Sequence, residues 1–362
     1  MDELQQHYCA WHHLIGLTQH DRRLLFSQYP NPDAAYSATL PNLQAQGFSS
    51  KGSKAWCEFS LKPKAHAAWQ QMQAQLPRLQ NVSIVSVGDA NYPPLLRETP
   101  DHPPLLYVRG DVSVLAKPQL AIVGSRRCSQ AAQETAFSFA KHLAGQDIVI
   151  TSGGALGIDT AAHKGAINSG STIAVMGTGI DGCYPASNAP LYEDIQQNGA
   201  VVSEFRPGVS AKAGHFPRRN RIIAGMAVGT LVVEAALRSG SLITAHLALD
   251  YNREVFAIPG SVNDPRSKGT HALIKQGAKL TETAEDIFEE FAWPNTELSA
   301  PVSMSTPEGP AAQLLEKVDY TFTSLDNIAK RACLPVATLL PQLLELELSG
   351  YIAQEDGGYI RR

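Results

Sequence analysis

A basic segment stands at the centre of this sequence: Phe216-Pro217-Arg218-Arg219-Asn220-Arg221-Ile222-Ile223-Ala224-Gly225. It precedes an apolar run typical of a buried strand, Gly229-Thr230-Leu231-Val232-Val233-Glu234, and then a turn of small residues, Arg238-Ser239-Gly240-Ser241, that opens a helix. Between Glu204 and Arg221 five basic residues accompany a single acid, although the net charge of the chain is −4. This local concentration of positive charge predicts a negatively charged ligand.

The composition is that of an ordinary soluble globular protein, with 362 residues of which 44% are apolar and 18% are charged. No apolar run reaches the roughly 20 residues that a membrane-spanning helix needs, and Asp2 and Glu3 stand where a secretory signal carries positive charge. We therefore expect a cytoplasmic protein without membrane insertion. The five cysteines are scattered and never spaced as Cys-x-x-Cys, which argues against a disulfide framework and against a structural zinc site.

Short β-branched runs alternate with helical patterns from residue 82 onward, at a spacing of roughly 25 residues. Strands are predicted at 82–87, 119–123, 147–151, 172–176, 200–204, 228–233 and 254–258, followed by a short helix and a last strand at one end of the sheet. Nearly continuous apolar strands separated by helices are typical of a parallel sheet covered on both faces. We predict an α/β fold with a Rossmann-like, doubly wound, mostly parallel sheet.

The regions flanking this sheet have different patterns. Residues 1–78 are predicted to form a small helical domain, either a helix-hairpin-helix or a helical contact module, and 79–292 the Rossmann-like domain. Residues 293–310 are rich in proline, serine and threonine and are predicted to be a linker. Residues 311–362 read as three helices and a hairpin, the arrangement of a winged helix-turn-helix.

The predicted winged-helix domain lacks the charge expected of a DNA reader. Residues 310–362 contain five basic and seven acidic residues, and the helix in the recognition position carries Glu345 and Glu347 but no base. Because such a surface repels phosphates, a protein-contact or regulatory role is favoured over duplex reading. Pro341 is compatible with this helix if Thr338 is its N-cap.

Two loops that follow predicted strands have the composition of phosphate cradles. Right-handed crossovers place such loops along one edge of the sheet. One is Gly124-Ser125-Arg126-Arg127 and the other begins Ser152-Gly153-Gly154, so glycines for close backbone approach accompany two guanidiniums. Either loop alone could be only a tight strand-to-helix turn. Together with the basic segment and Ser239-Gly240-Ser241, they predict an anion site.

Other motifs leave alternatives open. The loop Gly177-Thr178-Gly179-Ile180-Asp181-Gly182 fits G-x-G-x-x-G, but Tyr184-Pro185 follows it instead of a helix start, so we expect no dinucleotide or other cofactor. Tyr184 either stacks on a base or packs in the interior. Asp159 and His163 form either a metal pair or, as we favour, a capping aspartate above a hydrogen-bonded histidine. No metal is therefore expected.

Glu234 is the one carboxylate placed where a catalytic base could lie, at the end of a buried strand. We favour instead an acceptor of hydrogen bonds from Arg221 or from loop amides. No catalytic serine, cysteine or histidine set can be singled out. At the end of the sheet, His271, Ile274 and Leu280 are candidates for a homodimer contact, with ordinary packing as the alternative.

These features give the chain a resemblance to the DNA-processing protein A family, also called DprA or Smf. The matching segments cover about residues 80 to 280 and are Tyr92-Pro93-Pro94-Leu95-Leu96, Leu106-Tyr107-Val108-Arg109-Gly110, Ile122-Val123-Gly124-Ser125-Arg126, Ser152-Gly153-Gly154-Ala155, Gly157-Ile158-Asp159 with His163, Tyr184-Pro185 with Asn188, and nearly all of 216–246. Leu156 stands where many relatives have arginine, so this loop contributes no base.

The resemblance implies a non-enzymatic single-stranded DNA-binding protein of natural transformation. Such a protein protects incoming DNA in competent cells and loads the RecA recombinase onto it for homologous recombination. The resemblance also implies a homodimer through the Rossmann-like domain. Carried over to this sequence, the DNA-binding residues are Gly124, Ser125, Arg126, Arg127, Gly153, Gly154, Phe216, Arg219, Asn220, Arg221, Ser239, Gly240 and Ser241.

The main alternative is a nucleotide phosphoribohydrolase-like enzyme on the same fold, which the basic segment before Glu234 also resembles. Those enzymes carry a Gly-Gly-x-Gly-Thr loop followed closely by glutamate. Here Gly229-Thr230 lies within the predicted strand and no glycine pair precedes it, so binding is favoured over catalysis.

Overall fold

The computed structural model describes residues 3–29, 32–291, 310–355 and 357–361. The chain divides into two compact units, residues 1–294 and 295–362. Apart from Pro310, the predicted linker 293–310 lies outside the described residues. In the portions of the chain that are described, no helix has the length and apolar character needed to cross a membrane.

The N-terminal region is helical, as predicted. Its helices are α1 Glu3–His13, α2 Gln19–Gln28, α3 Pro32–Tyr36, α4 Leu40–Ala45, α5 Ser50–Leu61 and α6 Ala67–Gln75, with short 3₁₀ helices at Pro63–Ala65 and Leu76–Leu79. Thr18 starts α2 with a capping box completed by Asp21. Trp11 and Trp56 are fully buried and meet edge to face, with ring centroids 5.2 Å apart. Their core is continuous with one face of the sheet.

The predicted doubly wound sheet is present and has nine strands. They are β1 Ser83–Ser86, β2 Leu105–Gly110, β3 Gln119–Val123, β4 Val149–Ser152, β5 Thr172–Val175, β6 Gly199–Ser203, β7 Gly229–Val232, β8 Glu254–Ala257 and β9 Lys279–Leu280, in the order β1-β2-β6-β5-β4-β3-β7-β8-β9. Strands β3 to β9 pair in parallel, whereas β1 and β2 are antiparallel. Strand β2 was not predicted as a strand.

Helices cover both faces of this sheet. They are α7 Pro94–Glu98, α8 Gln130–Ala144, α9 Ile158–Ile167, α10 Ala189–Asn198, α11 His215–Met226, α12 Ser241–Asp250, α13 Lys268–Lys275 and α14 Glu285–Phe288. Short 3₁₀ helices lie at Val112–Ala116, Ala186–Asn188 and Pro265–Ser267. Alternate residues of β3 enter opposite cores, since Leu120 packs with α8 and α9 and Ala121 packs with the other cluster. Both faces of the sheet are therefore buried.

The position of the candidate site follows from the strand order. The chain moves outward from β3 through β4 and β5 to β6, then returns to place β7 on the other side of β3. The loops after β3 and β7 therefore run to opposite sides of the sheet and leave a crevice at their carboxyl ends. The basic segment forms α11, which connects β6 to β7 beside this crevice.

The second unit has the predicted winged-helix elements. They are α15 Pro310–Leu315, β10 Thr323–Ser324, α16 Leu325–Ala332, α17 Val336–Leu348, β11 Ile352–Glu355 and β12 Gly358–Arg361. One expectation about α17 is wrong: the helix begins at Val336 after Pro335, so Thr338 is not its N-cap and Pro341 lies inside the helix. Leu339 and Leu343 of this helix are fully buried.

Candidate functional site

A cleft of about 710 Å³ opens at the crevice beside β3 and β7. Its walls are the loop after β3, the segment that leads into α11, and the turn that opens α12. Ten of the thirteen predicted DNA-binding residues line it: Gly124, Ser125, Arg126, Arg127, Phe216, Arg219, Asn220, Ser239, Gly240 and Ser241. The structure therefore brings together three segments that together span more than a hundred residues of the sequence.

An aromatic pair and a guanidinium form one wall of the cleft. The rings of Tyr184 and Phe216 have centroids 5.1 Å apart and are tilted by 42°. The Arg126 guanidinium lies 5.5 Å from the centroid of the Phe216 ring, within the range of a cation–π contact. Tyr184 is 45% exposed and Arg126 is also exposed. This wall offers flat apolar faces beside a free positive charge.

Gly177 determines where the Phe216 ring packs. A Cβ atom added at Gly177 would lie 2.8 Å from Cδ1 of Phe216, so only glycine lets the ring rest on this loop. The backbone carbonyl of Gly177 also lies 3.2 Å from Nδ1 of His215. The first glycine of the G-x-G-x-x-G loop thus supports an aromatic wall.

Arg219 lies at the base of the cleft and is only 4% exposed. Its guanidinium donates to the carbonyl of Gly153 at 2.6 Å and to the carbonyl of Val175, and its Nε donates to Asn220 at 3.3 Å. Burial lowers the pKa of Arg219. These bonds connect α11 to the ends of β4 and β5, so Arg219 braces the site and presents little surface to a ligand.

The glycine loop after β4 does not present the free amides that its composition predicts. The Gly153 amide donates to the buried carboxylate of Asp159 at 3.1 Å, and the Ala155 amide donates to the same oxygen at 3.3 Å. Gly153 lines only a smaller hollow of about 60 Å³ beside Phe216. Gly154 lines neither space, because its carbonyl accepts from Asn188 and a Cβ on it would lie 2.3 Å from the Tyr192 hydroxyl.

Arg221 also departs from the predicted position. Its side chain is 7% exposed, forms an ion pair with Glu204, and donates to the carbonyl of Asp101 at 2.6 Å. Arg221 is absent from the residues that line the cleft. Arg221 lies two positions after Arg219 on α11, a spacing that turns the two side chains to different sides of the helix. Its contacts are those of a structural ion pair.

The turn before α12 supplies polar groups to the opposite wall. The hydroxyls of Ser239 and Ser241 are hydrogen-bonded to each other at 2.7 Å, and Gly240 stands at the N-cap position of α12. A Cβ on Gly240 would meet nothing within 4 Å, so the space above this turn is open. The N-terminus of α12 therefore adds a favourable site for negative charge.

Glu234 caps a helix and does not line the cleft. Its Oε2 accepts from the amide of Ser129 at 3.2 Å and from the hydroxyl of Ser129 at 2.8 Å, and Ser129 is the N-cap of α8. The sequence favoured two possible donors to Glu234, a loop amide and Arg221. The loop amide is present, whereas Arg221 bonds to Glu204 instead. From these contacts we infer that Glu234 holds the loop after β3 in place.

Several lining residues were not assigned by the sequence: Tyr184 was left open, and Lys212, Ile223, Ile243 and Thr244 were missed. Lys212 is exposed and adds a further positive charge. Its charge was counted with the basic segment, but it lies in a stretch without helix or strand, so its position could not be read from a pattern. Ile243 and Thr244 follow Gly240 at helical spacing, which could have placed them on the same wall.

The remaining predicted sites are placed as follows. His271 is hydrogen-bonded to the carbonyl of Gly260, Ile274 packs partly buried against the core, and Leu280 is 44% exposed on the last strand of the sheet. His163 bonds to Thr172 at 2.7 Å, in agreement with the favoured hydrogen-bonded histidine. The favoured capping role of Asp159 is wrong, because Gly157 is the N-cap of α9 and the Asp159 carboxylate instead accepts from the loop amides of Gly153 and Ala155. Over the described ranges, no group of His, Cys, Asp and Glu is arranged to hold a metal ion.

Comparison with known proteins agrees with the fold. Residues 83–292 match the family DNA recombination-mediator protein A, and residues 299–358 match the DprA winged helix domain. Protein Smf of Escherichia coli is 44% identical over 291 residues, which are 78% of each chain. DNA processing protein DprA of Streptococcus pneumoniae is 48% identical over 209 residues, 57% of this chain and 73% of that protein.

Solved structures give the same result. The crystal structure of DNA processing protein A from Streptococcus pneumoniae aligns with a TM-score of 0.67 at 36% identity, over 81% of this chain and 99% of that one. A structure describing the single-stranded DNA-binding mode of the Helicobacter pylori protein aligns with a TM-score of 0.53 at 31% identity, over 58% and 94% of the two chains. The chain belongs to the DprA/Smf family of DNA-processing proteins.

Proposed function

We propose that this protein binds single-stranded DNA in the cleft beside β3 and β7. The observation that carries the proposal is the wall formed by Tyr184, Phe216 and Arg126, where an exposed and a half-buried aromatic ring adjoin a guanidinium. Unpaired bases stack on aromatic side chains, and guanidiniums bind phosphates. The Helicobacter pylori relative, whose single-stranded DNA-binding mode has been described, supports the same ligand class.

The cleft favours a sequence-tolerant mode of binding. Its cations Arg126, Arg127 and Lys212 are exposed and suit the phosphate backbone, which is the same for every sequence. Every base has an aromatic face that can stack on Phe216. The DNA contacts of the proposal are therefore the cleft residues, with Gly153, Gly154, Arg219 and Arg221 as supporting structure.

The proposed biological role is protection of incoming single strands during natural transformation and loading of RecA onto them. Membership of the DprA/Smf family supports this role. We expect the protein to shorten the lag of ATP hydrolysis by RecA on single strands coated with a single-strand binding protein. An unchanged lag over a range of protein concentrations would remove RecA loading from the proposal while leaving DNA binding intact.

We further propose a homodimer through the Rossmann-like domain, at the edge of the sheet that carries β9. Of the three predicted contact residues, Leu280 supplies most exposed apolar surface, and His271 and Ile274 support it from α13. We expect Leu280→Asp to weaken the dimer, because the substitution places a charge in the contact. Analytical sedimentation of this variant and of the unsubstituted chain measures the effect, and an unaffected dimer would show that this edge is not the interface.

A catalytic role is not favoured by the position of Glu234. Its Oε2 is engaged by the amide and the hydroxyl of Ser129, and the residue does not line the cleft. A catalytic base must reach its substrate within hydrogen-bonding distance. The phosphoribohydrolase-like alternative therefore lacks its essential carboxylate in the cleft.

The winged-helix unit has the surface of a protein-contact module. The exposed positions of α17 include Leu340, Leu344 and Leu348, with Glu345 beside them. A helix that reads a duplex presents basic and amide side chains to the phosphates and base edges. We therefore assign the DNA contacts to the cleft and a protein partner to this helix.

Competition between single-stranded and duplex DNA at several salt concentrations tests the proposed function. We expect the single strand to bind at least about tenfold more tightly, because its bases are free to stack in the cleft. The logarithm of the association constant should fall linearly with the logarithm of the salt concentration, with a slope of about −0.7 for each phosphate contact. Fluorescence anisotropy of a labelled strand, with unlabelled competitors, measures both quantities.

The matched control is the chain lacking residues 300–362, which removes most of the second compact unit. We expect its preference for the single strand and its salt slope to stay within about twofold of those of the full chain, because the proposed stacking and phosphate contacts both lie in the cleft, which the truncation leaves in place. A loss of binding on truncation would move the DNA site to the winged helix. Equal affinity for duplex and single strand would contradict the proposed stacking.

A further inference from the structure

A second cleft, of about 370 Å³, lies where the N-terminal helices meet the sheet. Both parts belong to the same compact unit. The residues that give it its chemistry are Arg22, Arg206, Arg218, His13, His215 and Glu204. The proposed DNA cleft and this second cleft share no lining residue.

The charge of the second cleft is strongly positive. Three guanidiniums line it, and Glu204 is the one carboxylate among its lining residues in the described part of the chain. One oxygen of that carboxylate is already engaged, because Oε2 accepts from Arg218 at 3.0 Å and from Arg221, while Oε1 is buried without a partner among the described residues. Glu204 therefore leaves positive charge uncompensated in the space between the helices and the sheet.

Arg22 is held in place with one donor unused. Its terminal nitrogens donate to the carbonyls of Leu14 and Leu17 at 2.7 and 2.8 Å. Its Nε is buried without a partner among the described residues. Burial lowers the pKa of Arg22, and Arg206 and Arg218 lower it further by repulsion. A buried, repelled guanidinium is stabilised when an anion enters its surroundings.

Arg206 contacts this space without an acidic partner. One terminal nitrogen lies 3.1 Å from Nδ1 of His13. Burial lowers the pKa of His13 to about 4, so this histidine is neutral at neutral pH and accepts the bond. None of the ion pairs found in the described ranges includes Arg206. Arg206 is therefore able to bind a phosphate.

The first turn of α11 separates the two clefts. His215 and Arg218 line the second cleft, whereas Phe216 and Arg219 line the first. The ring of Phe205 stacks on His215 with centroids 4.4 Å apart, and the Arg218 guanidinium lies 5.6 Å from the Phe205 centroid. A single strand that leaves the first cleft across this turn passes the half-buried ring of His215 and the exposed guanidinium of Arg218.

We propose that the cleft formed by Arg22, Arg206 and Arg218 is a second phosphate-binding subsite, which holds the backbone of the same single strand beyond the first cleft. This inference rests on the proposed function, since it extends the track that begins at Phe216. It also gives the N-terminal helices a role in DNA binding, because Arg22 belongs to α2.

The test compares Arg206→Gln with Arg206→Lys on strands of two lengths. Strands of about 4 and about 16 nucleotides bracket the site sizes of known single-strand-binding folds, and we expect only the longer strand to reach the second cleft. We expect Arg206→Gln to weaken binding of the long strand roughly fivefold and to reduce its salt slope by about 0.7, the loss of one phosphate contact. The short strand should bind as before, and Arg206→Lys should retain most of the long-strand affinity.

Two further variants make the outcome decisive. Lys141→Ala removes an equal charge from α8, on the other face of the sheet, and should leave both strands unaffected. Arg126→Ala, in the first cleft, should weaken both strands; if it weakens neither, the proposed function fails independently of this subsite. An Arg206→Gln chain with normal unfolding and an unchanged affinity and salt slope for the long strand overturns the subsite. Equal weakening of both strand lengths also overturns it, because Arg206 would then act on the first cleft.

Discussion

The double substitution Arg126→Ala/Phe216→Ala is expected to lower the affinity for single-stranded DNA by about 30-fold or more at fixed salt. Stacking of one base on an aromatic ring contributes about 1 to 3 kcal/mol. Loss of the guanidinium removes a phosphate contact in addition. Since each 1.4 kcal/mol is about a factor of ten in affinity, the two losses together exceed a factor of ten. Anisotropy titration with a labelled strand measures the change.

The single variants separate stacking from charge. Phe216→Tyr keeps an aromatic face and should bind within about threefold of the unsubstituted chain, whereas Phe216→Leu should lose the stacking contribution. Because the Arg126 guanidinium lies 5.5 Å from the Phe216 centroid, the two substitutions are not expected to be additive. Binding unchanged by the double substitution, in a chain with normal unfolding, would contradict the location of the DNA site.

The sheet was predictable because its strands are short apolar runs between helical patterns, and seven of the nine strands were predicted within a few residues. The last strand, Lys279–Leu280, was predicted as well. Strand β2 was missed because it follows Pro103-Pro104 and only a short 3₁₀ helix separates it from β3. Its partner is β6, which lies about ninety residues later in the chain. Antiparallel pairing across that distance leaves no signal in local periodicity.

The candidate site was predictable at the level of loops and less so at the level of atoms. Gly124 to Arg127 line the cleft because they follow a strand at the carboxyl edge, a position that topology fixes. The basic segment could not be resolved in the same way. Its arginines lie on one helix. The side of the helix that each arginine occupies decides whether its side chain faces the cleft or bonds to other parts of the protein. Arg219 and Arg221 turn inward to buried acceptors, whereas Arg218 remains half exposed.

Hydrogen bonds that depend on the fold were the other source of error. The Gly153 amide was expected to be free, but the carboxylate of Asp159 occupies it. That contact requires the first turn of α9 to fold back beneath the loop after β4. Glycine content alone indicates that backbone can approach closely, and it does not show whether the approaching group is a ligand or another part of the chain.

Removal of the Arg219 side chain is expected to destabilise the protein by about 3 to 5 kcal/mol, the usual cost of leaving a buried charge without its counterpart. A Cβ placed on Gly153 would lie 2.5 Å from an Arg219 nitrogen and 2.6 Å from an Asp159 oxygen, so both charges flank this glycine. Arg219→Ala removes the positive charge that favours ionisation of the buried Asp159 carboxyl. Urea unfolding followed by tryptophan fluorescence measures the loss, since Trp11, Trp56 and Trp69 belong to the same unit.

The double variant Arg219→Ala/Asp159→Asn distinguishes loss of the charge partner from loss of packing. Burial raises the folded-state pKa of Asp159 above the ordinary value of 3.8, and the charge of Arg219 opposes that shift. A carboxylate whose folded-state pKa is raised destabilises the fold at high pH, and the penalty disappears as the pH falls toward 3.8. The free energy lost in Arg219→Ala should therefore shrink on acidification, and Asp159→Asn should restore part of it at neutral pH. If the loss is independent of pH and the double variant is no more stable than Arg219→Ala, then Arg219 supports the site through its packing and its bonds to the Gly153 and Val175 carbonyls alone.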